Sequence, residues 1–255
     1  NVAENNNYYS SSAGLLFNKD KTVFVRYPAG KLLKEFNIPD GVNSIDTYAF
    51  KDCKNLTKIT IPNSVTFIDD KAFYCCSSLV NITIPDSVNS IGNMTFFGCA
   101  IKNINIPNSV TIIKRGAFWS CPSLTSINIP ESVTSIDSIV LNECNNLKCV
   151  IINNPDCEIS NAKDTIPETA VIYGYKNSTA QTYAESFNRK FISLEEIGDI
   201  SGNGEIDLYD AIEIAKAIMG LRTFTAEEMI IADFNMDGAV DLYDAIEIAR
   251  TLLPK

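Results

Sequence analysis

Histidine is absent from the 255 residues. That gap removes Ser-His-Asp triads, Cys-His pairs, HExxH zinc sites and any imidazole general base. The patterns GxGxxG, GxxxxGK[ST], GxSxG and CxxC are missing as well, so no phosphate loop, nucleophile elbow or redox dithiol is announced. A catalyst built from this chain would rely on carboxylates, Lys, Tyr or Cys alone. No apolar run approaches the ~18 residues of a bilayer span. Positive charge is in short supply: 21 Lys and Arg face 31 Asp and Glu, for a net charge of −10. That balance argues against nucleic acid as the main partner. No signal peptide is visible ahead of Asn1, so a mature or trimmed chain is expected.

What is present suffices for a core. Apolar residues make up 45% of the chain and charged ones 20%, outside the disordered range. The acidity is uneven. Residues 199–255 carry 12 acidic and 4 basic side chains, against 19 and 17 in residues 1–198. A charge step of that size marks a domain boundary near Gly198.

The first part repeats with a period of 23 residues, in copies that start at Ile38, Ile61, Ile84, Ile106 and Ile129. One copy has 22 residues and lacks a position between Cys99 and Ile101. A sixth start, Ile152, reads INNP instead of IP. Val42, Val65, Val88, Val110 and Val133 form one apolar column, and Ile45, Ile68, Ile91, Ile113 and Ile136 a second. Phe50, Phe73, Phe96, Phe118 and Leu141 supply the bulk. Alternation in L-x-x-I-x-I predicts one short strand per copy with a single buried face. A lone copy cannot bury that face, so stacking must build the core.

This unit resembles the BspA-like leucine-rich repeat, whose consensus is IPxSVTSIxxxAFxxCxxLTxIxI. The likeness covers roughly residues 14–192. GLLFNKDKTVFVRYPAGK, from Gly14, looks like that family's N-terminal hairpin cap. TAVIYGYKNSTAQTYAESFNRKFISL looks like its C-terminal cap, with Ser178 or Thr179 opening a short helix to about Arg189. Cys53, Cys76, Cys99, Cys121 and Cys144 recur with the repeat and read as small apolar packing groups. Cys75, Cys149 and Cys157 fall outside that ladder, and a Cys149–Cys157 disulfide is a second reading.

Strand positions facing away from the core are Lys58, Thr60, Asn81, Thr83, Asn103, Asn105, Ser126 and Asn128, continued by Cys149 and Ile151. The first eight form a candidate ligand face, rich in amide and hydroxyl and without an aromatic ring, which disfavours sugar stacking. Its alternative is a plain solvated sheet. Tyr74, Phe97 and Trp119 follow the buried Phe column. They read either as an exposed ridge or as packing between coils.

The acidic segment is duplicated at an offset of 34: DISGNGEIDLYD from Asp199 and DFNMDGAVDLYD from Asp233 both run on into AIEIA. Oxygen side chains fall at loop positions 1, 3, 5, 9 and 12, the arrangement of a calcium loop, with Gly204 and Gly238 at the sharp turn. The candidate ligands are Asp199, Ser201, Asn203, Asp207 and Asp210, then Asp233, Asn235, Asp237, Asp241 and Asp244. Glu205 and Ala239 would give backbone carbonyls. An EF-hand pair is the competitor, but position 12 is Asp in both loops and no helix enters the first. Helices are predicted over 208–218 and 242–252, with a connecting helix over 225–232 opened by the Thr225/Glu228 capping box. Ile212, Ile214, Ala215, Ile246, Ile248 and Ala249 are the expected small core.

The tandem resembles a type I-like dockerin over about residues 197–255. By that resemblance the loops hold two Ca2+, and the partner is a cohesin domain on a scaffoldin. The family's contact positions map to Leu208, Tyr209 and Lys216, and to Leu242, Tyr243 and Arg250. Near-identity of the copies implies two docking orientations. Ser201 departs from the usual Asn or Asp.

The expected fold is an α/β-type repeat solenoid of short parallel strands with both caps over residues 1–196. A small all-α calcium-binding dockerin follows over 197–255. The expected function is that of a secreted, non-catalytic cellulosome component. Its repeat domain would meet an unknown protein or cell-surface ligand, with no nucleic acid and no membrane span. The alternatives are a polysaccharide-degrading enzyme of glycoside hydrolase type and a cell-surface adhesin.

Overall fold

The computed structural model describes residues 2–235 and 239–253. The chain divides into two compact units, Asn1–Phe191 and Ile192–Lys255. The first opens with antiparallel pairing of Tyr9–Ser12, Leu15–Asn18 and Val23–Arg26. Leu15, Phe17 and Phe24 are buried there, as period-2 alternation requires of a one-faced sheet. From Val23 onward the pairing is parallel, Phe24 lying in register with Ile45.

The coils build two rows of strands, where the sequence pattern predicted one. The first row holds Glu35–Asn37, Lys58–Thr60, Asn81–Ile82, Ser126–Ile129, Cys149–Ile152 and Val171–Gly174. The second holds Ser44–Ile45, Phe67–Ile68, Ser90–Ile91, Ile112–Ile113, Ser135–Ile136 and Glu158–Ile159. Second-row strands are two residues long, too short for alternation to reveal them. A turn separates the rows: the amides of Val65, Val88, Val110 and Val133 donate to the carbonyls of Pro62, Pro85, Pro107 and Pro130 at 3.0 Å. Proline suits the strand end because it has no N–H for a ladder. The 22-residue copy interrupts the first row. Asn81–Ile82 ends one sheet, and pairing resumes as the single bridge Asn105–Asn128.

Three ladders tie coil to coil. The Phe24, Phe50, Phe73, Phe96 and Phe118 rings stack with centroids 4.9 to 5.5 Å apart. The thiols of Cys76, Cys99, Cys121 and Cys144 donate to the carbonyls of Phe50, Phe73, Phe96 and Phe118 at 3.0–3.2 Å. The hydroxyls of Ser64, Ser87, Ser109 and Ser132 donate to the preceding coil's Val carbonyl at 2.5–2.8 Å. These buried Phe and Val carbonyls thereby gain a donor from the adjoining coil.

All eight cysteines are thiols, so the Cys149–Cys157 disulfide does not form. Cys149 lies on the outward side of its strand, in register with Ser126, whereas Cys157 is buried in the core. A second correction concerns Ile151, which was expected to face away from the core. It is 9% exposed, because Tyr173 on the neighbouring strand lies directly opposite. The C-terminal cap contains helix α1, Thr179–Ser186, with Ser178 as N-cap.

The second unit holds α2 (Leu208–Ile218), α3 (Ala226–Ala232) and α4 (Leu242–Thr251). Each helix starts with a complete capping box: Asp207/Asp210, Thr225/Glu228 and Asp241/Asp244. Its core is Ile200, Ala211, Ile214, Ala232, Ala245 and Ile248. Ile214 and Ile248 lie where the sequence placed them. Ala211 and Ala245 replace Ala215 and Ala249 at the centre, and Ile212 is 40% exposed. The buried stripe therefore runs i, i+3 or i+4 from the caps at Asp210/Ala211 and Asp244/Ala245.

Candidate metal centre and docking face

The first loop is knitted by its oxygen side chains. Asp199 accepts from the Ser201 hydroxyl at 3.2 Å, from the Asn203 amide at 3.1 Å and from the Gly204 amide at 2.8 Å. The Asn203 side-chain amide donates to Asp207 at 3.2 Å. Asp210 closes the loop from the first turn of α2, accepting from the Ser201 amide at 2.9 Å and the Asp207 amide at 2.8 Å. The sharp path needs left-handed backbone at Gly202 and Gly204, φ +69° and +88°, which glycine adopts without steric cost. Gly204 was expected; Gly202, two residues earlier, was the missed signal.

The second loop repeats the closure. Asp244 accepts from the Asn235 amide at 3.1 Å and the Asp241 amide at 2.8 Å. Asp210 and Asp244 are both fully buried. Asp237 and Gly238 lie outside the described residues. Among the described residues no three acidic or cysteine side chains converge as a metal cluster by themselves. The set in the first loop is instead mixed, with Ser201 and Asn203 interleaved between Asp199 and Asp207. Carboxylate, amide and hydroxyl oxygens, with no sulfur or imidazole, make a hard donor set suited to Ca2+ rather than to zinc or copper. A buried carboxylate closing each loop adds charge that a bound cation would neutralise. Asp199, Ser201, Asn203, Asp207 and Asp210 therefore fit the ion, with the Glu205 carbonyl, and the described members of the second set, Asp233, Asn235, Asp241, Asp244 and the Ala239 carbonyl, match them in position.

Beside each loop the helix start presents an apolar pair. Leu208 and Tyr209 are 59% and 70% exposed, Leu242 and Tyr243 59% and 67%. These side chains are not spent on packing α2 against α4. Two turns on, Lys216 pairs with Glu213 at 2.7 Å, and Arg250 pairs with Glu247. Glu213 also binds Arg222, which reaches on to Glu228 and lies 4.9 Å from the Phe224 ring centre. This network was missed, although the i, i+3 spacing of Glu213/Lys216 and Glu247/Arg250 was a readable signal.

On the first unit, Lys58, Thr60, Asn81, Thr83, Asn103, Asn105 and Asn128 are exposed and Ser126 is half-buried. Asn153 joins them, its amide donating to the Asn128 side chain at 2.6 Å. Tyr74, Phe97 and Trp119 are half-buried and packed coil to coil, together with Tyr48. Two of the buried cysteines are held protonated by their surroundings. Burial pushes the Cys157 thiol up to about 12, and burial raises Cys99 too, so neither is an activated nucleophile.

Comparison with known proteins fits both units. The model of the BspA-type leucine-rich repeat region matches residues 29–148 in six copies, and the model of the dockerin type I domain matches residues 197–253. A search of curated proteins gives no match. Among solved structures, a leucine-rich cell surface protein from Faecalibacterium prausnitzii is 30% identical with a TM-score of 0.54, over 62% of this chain and 41% of that one. The pneumococcal vaccine antigen PcpA is 26% identical with a TM-score of 0.65, over 75% and 49%. The T. pallidum leucine-rich repeat protein, 22% identical with a TM-score of 0.51, shows the fold alone. The chain spans less than half the length of the first two. No helix among the described residues is long and apolar enough to cross a membrane. Type I dockerins bind calcium and take cohesins as partners in cellulosome-type assemblies, leucine-rich repeats serve protein interaction, and neither family is catalytic. Residues 29–148 of this chain thus belong to the BspA-type leucine-rich repeats, and residues 197–253 to the type I dockerins.

Proposed function

We propose that this chain is a secreted, non-catalytic component of a cellulosome-type assembly. Residues 197–255 plug into a scaffoldin cohesin with two Ca2+ bound, and residues 1–196 present a ligand-binding surface. The observation that carries this reading is the exposed Leu-Tyr pair, present twice, each beside a loop closed by a buried aspartate. Large apolar side chains held in water at a helix start are the anchors of a desolvated protein interface. Leu208, Tyr209 and Lys216 form one face; Leu242, Tyr243 and Arg250 form the other. On the solenoid, the strip from Lys58 and Thr60 to Ser126 and Asn128 is the surface offered to a protein or cell-surface ligand. It carries no carboxylate, whereas glycoside hydrolysis needs two acids about 5–9.5 Å apart.

The test is a pull-down of the full chain on immobilised type I cohesins, with calcium and with chelator. Retention in calcium and release by chelator is the expected result. Equal retention under both conditions, or none, would refute the reading.

A further inference from the structure

The two docking faces share the sequence DLYDAIEIA but differ in their ion pairing. In the first copy the two oxygens of Glu213 serve different cations: Oε1 takes Lys216 at 2.7 Å and Oε2 takes Arg222. Arg222 is held in turn by Glu228, which closes the capping box of α3. In the second copy, among the described residues, the ion pair of Glu247 is with Arg250 alone. Resting on the docking reading above, we infer that Arg222 makes the first face the preferred one for a cohesin that presents a carboxylate.

The reason is what each helix leaves behind when its cation turns toward the partner. Lys216 can leave Glu213 for a partner carboxylate, and Arg222 still neutralises Glu213. When Arg250 leaves Glu247, no other cation among the described residues neutralises that carboxylate, and like charges at a few ångströms repel. Both helices keep their own acid three residues before the cation. The asymmetry therefore comes from Arg222, a positioning residue that touches Glu213 rather than the partner. Exposed ion pairs are weak, so the preference amounts to about threefold in Kd and shrinks as salt rises.

The experiment uses full-length chains in calcium, titrated calorimetrically with one type I cohesin that the wild-type chain retains. Leu208→Ala with Tyr209→Ala leaves only the second face; Leu242→Ala with Tyr243→Ala leaves only the first. The expected result is about threefold tighter binding by the chain with only the first face at low salt. Adding Arg222→Gln to that chain should remove the advantage, and adding it to the other should change nothing. Helical circular dichroism with calcium checks that each variant folds, and Arg222→Lys should restore part of the preference. Equal affinity of the two faces, or equal weakening of both by Arg222→Gln, overturns the inference while cohesin docking stands. If the wild-type chain binds no type I cohesin, the docking reading and this inference fall together.

Discussion

At the residue scale, the repeat shows how neighbours cover a missing side chain. Asp46, Asp69 and Asp137 each accept from the amide that follows them. The equivalent place in the third copy is Gly92, which has no acceptor. Asp70 from the preceding coil fills the gap, taking the Asn93 amide at 2.8 Å and the Asn93 side chain at 2.7 Å. Only glycine leaves room, since a Cβ at 92 would lie 2.8 Å from Asp70 Oδ1. Asp70→Ala should therefore lower stability by about 1–3 kcal/mol, the range for stranding a partly buried donor, whereas Asp20→Ala on the exposed hairpin should change little; urea melts of both variants check this. The thiols offer a second test. Cys75 and Cys149 are half-buried, and the other six are buried. Alkylation of the native chain at mildly alkaline pH should label those two at most, with peptide mass mapping as the readout. Rapid labelling of Cys99 or Cys121 would contradict the closed ladder.

At the element scale, short pieces hold because their ends are satisfied. The three helices of the second unit run 7 to 11 residues, lengths that are marginal alone in water. Capping boxes and the Glu213–Arg222–Glu228 clasp supply what length does not. Lys216, then Arg222, holds the Glu213 carboxyl below the usual carboxylate range; the Thr225 amide and hydroxyl, helped by Arg222, do the same for Glu228. A lowered folded-state value means the contribution is complete above the unfolded-state value of about 4.3 and is lost as pH falls through the folded one. An acid titration followed by helical signal should steepen below about pH 4.3, and the pair Glu213→Gln with Glu228→Gln should flatten that slope. An unchanged slope would show that the clasp contributes nothing to stability. The helix limits of the second unit were legible in advance because caps and duplicated loops are local signals, whereas α1 ends at Ser186, short of the expected Arg189. The second row of two-residue strands was not, since such strands exist only through pairing with adjacent coils.

At the scale of the whole molecule, the described residues form two hydrophobic cores, one stacked through the coils and one among three helices. Calcium should act on the second alone. A ligand that binds only the folded state stabilises it by about 2.7 kcal/mol at a hundredfold excess over Kd. Chelator should therefore lower a helix-reporting melting transition and leave the repeat transition in place, as read by calorimetry of the full chain. The loops should also empty in sequence. Among the candidate ligand side chains the first loop has three carboxylates and the second four, Glu205 offering its carbonyl instead, so chelator titration should strip the first before the second. Equal affinities would contradict the charge argument.

By itself the sequence determined the period, the buried columns and the helix limits of the second unit, and it named the candidate loop ligands and the Leu-Tyr positions. All of these are set by residues close in the chain or repeated along it. Only the tertiary structure decided which side chains meet across coils and helices. It buried Ile151 under Tyr173, kept Cys149 apart from Cys157, centred the small core on Ala211 and Ala245, and joined Arg222 to Glu213. Those outcomes depend on register and helix rotation, which pattern alone leaves free until neighbouring elements pack and fix them.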